Sequence, residues 1–202
     1  MFSWLKSSPP PTPGKLIVIS GPGGVGKTTV ANELLSRYSD MHRSVSATTR
    51  APRKGEVPGT DYYYISNSDF EAKFRNDEFL EYAKIHDAWY GTLQSEVEED
   101  RKKGKHVLLV VNVEGGISIK RKHPDAELIF LQPPSVQELE RRLKERAIDS
   151  QAGIQTRLQA AAGEISTAYE KYDHIITNYT VNDTVEHIRR IVDRNSAGTL
   201  DA

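Results

Sequence analysis

Leu16-Ile17-Val18-Ile19-Ser20-Gly21-Pro22-Gly23-Gly24-Val25-Gly26-Lys27-Thr28-Thr29 runs from a short β-branched segment through a glycine-rich turn into an amphipathic stretch. That stretch, Thr28 to Tyr38, carries Val30, Leu34, Leu35 and Tyr38 on one helical face, so the spacing predicts strand, loop and helix in that order. Residues 21–28 fit G-x-x-x-x-G-K-S/T and lie where the mechanism of that motif requires, between an apolar strand and a helix start. Its glycines let successive backbone N–H groups turn inward around a phosphate, and the helix start adds the positive end of its dipole. Lys27 reaches the outer phosphates and Thr28 offers a hydroxyl to Mg²⁺. A turn that merely joins strand to helix has no need of Lys27 and Thr28 after its last glycine. Residues 21–29 therefore predict binding of a nucleoside triphosphate. Switches, motors, transporters and small-molecule kinases all use such a loop, so the second substrate has to be read elsewhere.

Outward from the loop the pattern continues as a βα series. Val107 to Val113 and Leu128 to Leu131 are near-continuous apolar runs, as parallel strands covered on both faces require. Ser135 with Glu138 three residues on forms a capping box that opens a helix predicted to bury Val136, Leu139 and Leu143. A further helix carries Ile154, Leu158, Ala161, Ile165 and Tyr169. His174 to Thr177 reads as a last strand, and Val185, Ile188, Ile191 and Val192 as the stripe of a closing helix. The fold class expected is α/β, a parallel sheet flanked by helices. Residues 44–89 differ: Ser44 to Thr48, Asp61 to Ile65 and Phe79 to Ile85 look like half-buried strands between turns at Pro52, Gly55, Pro58 and Gly59, which predicts an inserted antiparallel lobe.

Composition narrows the function classes. At 202 residues the chain suits one domain with a smaller inserted part. Its 27 basic and 28 acidic side chains leave a formal charge of -1, which supplies no global field for nucleic acid or an acidic membrane. With no cysteine there are no disulfides, thiolate zinc sites or thiol nucleophile. The apolar runs stay far below the roughly 18 residues of a membrane span. Residues 1–14, rich in proline and serine, lack the apolar stretch of a secretion signal and are expected to be a disordered tail, as are residues 196–202. A cytoplasmic protein is the expectation. The six histidines form no metal-ligand spacing.

A local basic patch supplies the second anion site. Between His42 and Thr60, Arg43, Arg50, Arg53 and Lys54 face the single acid Glu56. Arg50 and Arg53 can each present a planar fork to phosphate oxygens, and the hydroxyls of Tyr62 and Tyr90 can add donors. Here the residues become recognisable. Gly21 to Thr28, Ser46-Ala47-Thr48-Thr49-Arg50-Ala51-Pro52-Arg53, Gly55-Glu56, Asp61-Tyr62, Glu78-Phe79 with Glu81, Tyr90-Gly91-Thr92, Pro133-Pro134-Ser135, Arg142-Leu143, Arg146, Arg157-Leu158 and Asn178 resemble the guanylate kinase family in order and spacing.

That resemblance implies phosphoryl transfer from ATP to GMP or dGMP with Mg²⁺, by a monomer or small homo-oligomer. It implies a core (15–43 and 93–195), a GMP-binding lobe (about 44–92) and a helical lid (about 138–158). It places Arg50, Arg53, Tyr62 and Tyr90 on the GMP phosphate and Ser46, Glu81 and Thr92 on the guanine. The chemistry agrees: one carboxylate can accept the adjacent N1–H and N2–H donors of guanine, and a hydroxyl can serve O6. The lid would bring Arg142, Arg146 and Arg157 over the ATP phosphates, with Lys27 catalytic beside them and Asn178 on the ATP side. Two departures stand out. Where the family reads L-D-I-D-x-Q-G this chain has Leu109-Val110-Val111-Asn112-Val113-Glu114-Gly115, so both aspartates are replaced; and the family's Arg-Gly after the lid helix is Arg146-Ala147. Asn112 stands near the metal position, and Glu114, on the same side if the strand continues, is a candidate substitute. The rival readings are a non-catalytic phosphopeptide-binding module of the same family, which typically loses the phosphate loop, and another phosphate-loop kinase, which should lack Glu81 with Thr92.

Overall fold

The computed structural model describes residues 12–85, 87–145 and 151–194. At its centre β1 (Leu16–Ser20), buried along its whole length, lies in a five-stranded parallel sheet with β2 (Met41–Arg43), β7 (His106–Val110), β8 (Glu127–Gln132) and β9 (His174–Thr177), in the order β2-β7-β1-β8-β9. Val18 pairs with Leu109 on one side and Leu128 on the other. Successive β1 side chains point to opposite faces, and both faces are covered. Ile17 and Ile19 join a cluster with Val30 and Leu34 of α1 (Lys27–Arg37) and with Val185, Ile188 and Val192 of α7 (Val181–Arg194). Leu16 and Val18 pack on the opposite face with Val97 of α3 (Gln94–Lys102) and Ile119 of α4 (Val113–Lys122). Each such fully buried aliphatic side chain contributes roughly 1.5–3 kcal/mol, which makes this sheet the rigid platform of the molecule. Gly14 is already tied to it, its N–H donating to Arg101 O at 2.8 Å.

The apolar run expected as strand through Val113 ends early. β7 stops at Val110, and Asn112 becomes the N-cap of α4, its Oδ1 accepting the Gly115 N–H at 2.8 Å. A continuous apolar run cannot distinguish strand from buried helix, and the cap at Asn112 makes the choice. Gly115 and Gly116 are buried in the first turns of that helix. Ser135 does cap α5 (Val136–Glu145), accepting the Glu138 N–H at 3.1 Å. Val136 is exposed, however, because the stripe that packs on α6 (Gln151–Lys171) is Leu139 and Leu143 alone. On α6 the buried positions Ile154, Ala161 and Ala168 recur every seventh residue, and Tyr169 falls outside that stripe and is exposed.

The second sheet has the order β4-β3-β6-β5, from β3 (Ala47–Thr48), β4 (Tyr63–Tyr64), β5 (Phe79–Ile85) and β6 (Ala88–Leu93). β3–β6 and β6–β5 are antiparallel, while β4 adds to β3 in parallel. Alternation does not single out β6, nor α2 (Asn67–Arg75), which Ser66 caps through Asp69 N–H at 3.0 Å. Phe70 of α2 stacks on Phe79 at 4.4 Å and on Trp89 at 5.7 Å, and these rings form the core of the lobe.

Candidate active site

The loop between β1 and α1 is shaped to receive an anion. Gly26 takes φ 104°, a left-handed conformation natural to glycine, and a Cβ there would lie 2.8 Å from Asn178 Nδ2. As N-cap it offers no side chain, and the first turn of α1 holds no acid, so neither a cap nor a carboxylate competes for the positive helix end. Lys27 folds back on the loop, its Nζ donating to the carbonyls of Gly21 and Pro22. Thr28 and Thr29 are exposed on the same turn. The Asn178 amide braces the loop from outside: Nδ2 donates to Val25 O at 2.8 Å and Oδ1 accepts from Thr184 Oγ1 at 2.8 Å.

α5 closes on that loop. Leu143 lies 2.9 Å from where a Cβ on Gly24 would stand, and Arg142 donates to Val25 O at 3.2 Å, to Asn178 O at 3.3 Å and to Glu138 at 2.7 Å. Glu138, which also takes two bonds from Arg141, is held well below the usual carboxylate range, at about 2, by those guanidinium contacts. A cavity of about 310 Å³ lies between Arg142, Asn178 and the loop residues Gly24, Gly26 and Thr29. Arg157 brings its Nη1 within 3.0 Å of where a Cβ on Gly23 would stand. Arg146, and Ala147 after it, lie outside the described residues.

A larger cavity of about 500 Å³ opens between the loop and the lobe, and Gly21, Lys27, Ser46, Tyr62, Glu81, Tyr90 and Asn112 all line it. Glu81 Oε1 accepts the hydroxyl of buried Thr92 at 2.8 Å. Burial pushes the Glu81 carboxyl above the usual carboxylate range, partly offset by the Thr92 hydroxyl and backbone N–H. Its Oε2 stands 3.2 Å from where a Cβ on Gly115 would be, so the carboxylate abuts the N-terminus of α4 because that position has no side chain. Arg50 is fully oriented: Nε donates to Tyr90 Oη at 3.1 Å, and Nη1 and Nη2 donate to the two oxygens of Glu56 at 2.9 and 2.8 Å. Glu56 also accepts from Tyr64 Oη and Arg53 N, both at 2.7 Å, and is lowered to about 2, chiefly by Arg50. Arg53 is exposed beside this cluster.

The sequence reading gave Glu56 no role of its own, although its place three residues after Arg53 lets it accept both side-chain and backbone donors of that turn. Glu164 was also missed. It lines the same cavity, half-buried with its carboxyl pushed up by burial and drawn down by Lys27. The available signal was an acid three residues after Ala161 on the buried stripe of α6.

The metal reading changes. Asn112 and Glu114 do not share a strand face, because β7 stops at Val110, Asn112 caps α4 and Glu114 lies exposed in its first turn. The Asn112 amide oxygen already accepts from Gly115. No group of three or more histidines or acids able to hold a metal occurs among the described residues.

The family model for guanylate kinase matches residues 13–195 of the chain. A guanylate kinase of Fusobacterium nucleatum is 45% identical over 181 residues, covering 89% of this chain and 96% of that protein. One of Latilactobacillus sakei is 44% identical over 181 residues, 89% of each chain. Among solved structures, the guanylate kinase of Anaplasma phagocytophilum superposes with a TM-score of 0.72 at 34% identity, covering 94% of this chain and 89% of that one.

Proposed function

The chain belongs to the guanylate kinase family, and from that premise we propose how its own residues carry the γ-phosphoryl group of ATP to GMP or dGMP. The observation that supports this reading best is one cavity lined at one end by the phosphate loop with Lys27 and at the other by Glu81 and Ser46. GMP enters with its guanine on Glu81, which accepts N1–H and N2–H together. Thr92 directs its proton to Glu81 and so orients the reader, which leaves the Ser46 hydroxyl for O6. The GMP phosphate meets Arg50, Arg53, Tyr62 and Tyr90. ATP lies along the loop toward the smaller cavity beside Arg142 and Thr29, with Arg157 over Gly23.

Transfer itself needs position and charge. A GMP phosphate oxygen is already an anionic nucleophile, so it forms the new bond to the γ-phosphorus while the bond to the bridging oxygen of ADP breaks, with no side-chain base. Lys27 leaves the carbonyls of Gly21 and Pro22 for the outer phosphates, and the lid arginines balance the charge that develops. Closure of lobe and lid excludes water, which would otherwise take the γ-phosphoryl group. The donor set fits Mg²⁺ bound mainly by phosphates with the Thr28 hydroxyl, since Mg²⁺ keeps most of its own waters and asks few protein ligands. When bound, the ion neutralises phosphate charge. A coupled assay with ATP, Mg²⁺ and each nucleoside monophosphate tests the assignment: activity confined to GMP and dGMP supports it, and equal turnover of AMP overturns it.

Arg50→Ala is expected to weaken GMP about ten- to a hundredfold while the KM for ATP hardly changes, because a charge-assisted contact is worth roughly 1.5–3 kcal/mol. Separate titrations of the two nucleotides check this, and equal losses would place Arg50 elsewhere. Asn112→Asp keeps the cap on α4 and adds a carboxylate to the cavity wall, so it should lower the Mg²⁺ concentration for half-maximal rate. Glu114→Gln should leave that concentration unchanged. A Mg²⁺ titration of both variants beside the parent decides, and three superimposable curves would disconnect Asn112 from the metal.

A further inference from the structure

Ser44 Oγ is the one buried side-chain polar atom without a hydrogen-bond partner among the described residues. The residue is only 7% exposed, yet it lines the cavity shared by Lys27, Ser46 and Glu81. Buried hydroxyls are nearly always satisfied, so an exception in the wall of a substrate cavity calls for a physical reason. Arg43, immediately before it, lines the same cavity, and its guanidinium makes no hydrogen bond or ion pair with the described residues. By contrast, Arg50 is paired with Glu56 and Arg189 with Asp40.

The pair also sits in the right place. Arg43 ends β2 beside Leu108 of β7, so Ser44 leaves the parallel sheet at the C-terminal edge of its strands. The phosphate loop leaves β1 at that same edge, where parallel α/β sheets hold their ligands. A hydroxyl donor next to an unpaired cation matches an acceptor-only dianion. The guanine edge, which presents donors, is already matched by Glu81.

We propose that Ser44 and Arg43 form a core-side contact to the phosphate of the acceptor nucleotide, additional to the lobe residues Arg50, Tyr62 and Tyr90. This rests on the GMP kinase reading above. The hydroxyl is left unpaired in the free protein and satisfied by substrate, so stability and function pull in opposite directions at this position.

The test compares the parent protein with Ser44→Ala, Arg43→Ala and Arg43→Lys. Ser44→Ala should lower kcat/KM for GMP about tenfold, the value of one hydrogen bond to a charged acceptor, with KM for ATP unchanged. Its melting temperature without nucleotide should stay level or rise by about 2–4 °C, because an unsatisfied buried group has been removed. Arg43→Ala should lower kcat/KM for GMP about tenfold or more, and Arg43→Lys should recover part of that loss. Binding of guanosine, which lacks the phosphate, should be the same in all four proteins. Wild-type kcat/KM for GMP in either alanine variant overturns the proposal whatever the melting temperature does, as does an equal loss of guanosine binding. A parent protein that fails to phosphorylate GMP overturns the underlying kinase reading instead, which the same assay shows directly.

Discussion

Lys27→Ala is expected to lower the rate of phosphoryl transfer by a thousandfold or more while the protein stays folded. The ammonium lies at the edge of the nucleotide cavity and donates to the loop carbonyls of Gly21 and Pro22, which Gly-rich backbone can leave to solvent. None of the apolar clusters includes it. Its removal therefore withdraws several kcal/mol of charge stabilisation from the transition state without opening a void in the core. Single-turnover kinetics with saturating ATP and GMP measure the first effect and a melting curve the second. Turnover within tenfold of the parent would mean that the loop binds nucleotide without acting on it. A collapse of the melting temperature would instead make Lys27 a structural brace.

Glu81→Gln should remove most of the preference for GMP over AMP. An amide presents one acceptor and one donor where the carboxylate presents two acceptors, so its NH₂ opposes a guanine N–H. Sites that pair buried polar groups can reject the wrong partner by about 10⁴ or more, and much of that ratio is at stake. The ratio of kcat/KM for GMP to that for AMP is the measurement, because both substrates carry the same phosphate and its titration cancels. Undiminished preference would show that guanine is read elsewhere. The same ratio should fall with acid in the parent protein. Burial raises the Glu81 carboxyl, so protonation sets in at a higher pH than for an ordinary carboxylate, and the neutral acid loses one of the two acceptors. The Gln variant has no such group to titrate and should show a flat ratio across the same range. Gly115→Ala offers a second check, since its methyl would stand 3.2 Å from Glu81 Oε2 and 3.0 Å from the capping Asn112 Oδ1 and so crowd the reader with its charge intact.

How much of this was legible in the residues differs from one element to another. The spacing of Gly21 to Thr28 between an apolar run and an amphipathic stretch places an anion-binding turn at the end of a core strand, because only that backbone uses those glycines with Lys27. Alternation and 3.6-residue periodicity likewise located β1, β8, β9, α1 and α7, which meet at the parallel sheet, and α5, whose stripe packs on α6. Arg50, Tyr62, Glu81, Tyr90 and Thr92 were named from chemistry and family spacing before any contact was known. Tertiary structure decided what local pattern leaves degenerate. Val111 to Val113 could continue a strand or start a helix, and the Asn112 cap ended β7 there, which separated Glu114 from the metal position. Val136 and Tyr169 are apolar enough to be buried, yet no element among the described residues covers them. Thr92, read as a guanine contact, donates to Glu81, and Glu56, 6 residues from Arg50, turns back to grip it, because the lobe's turns bring those groups within hydrogen-bond reach. Ser44 is the plainest case: whether a hydroxyl is satisfied depends on every atom around it, and those atoms come from strands and loops far apart in the chain.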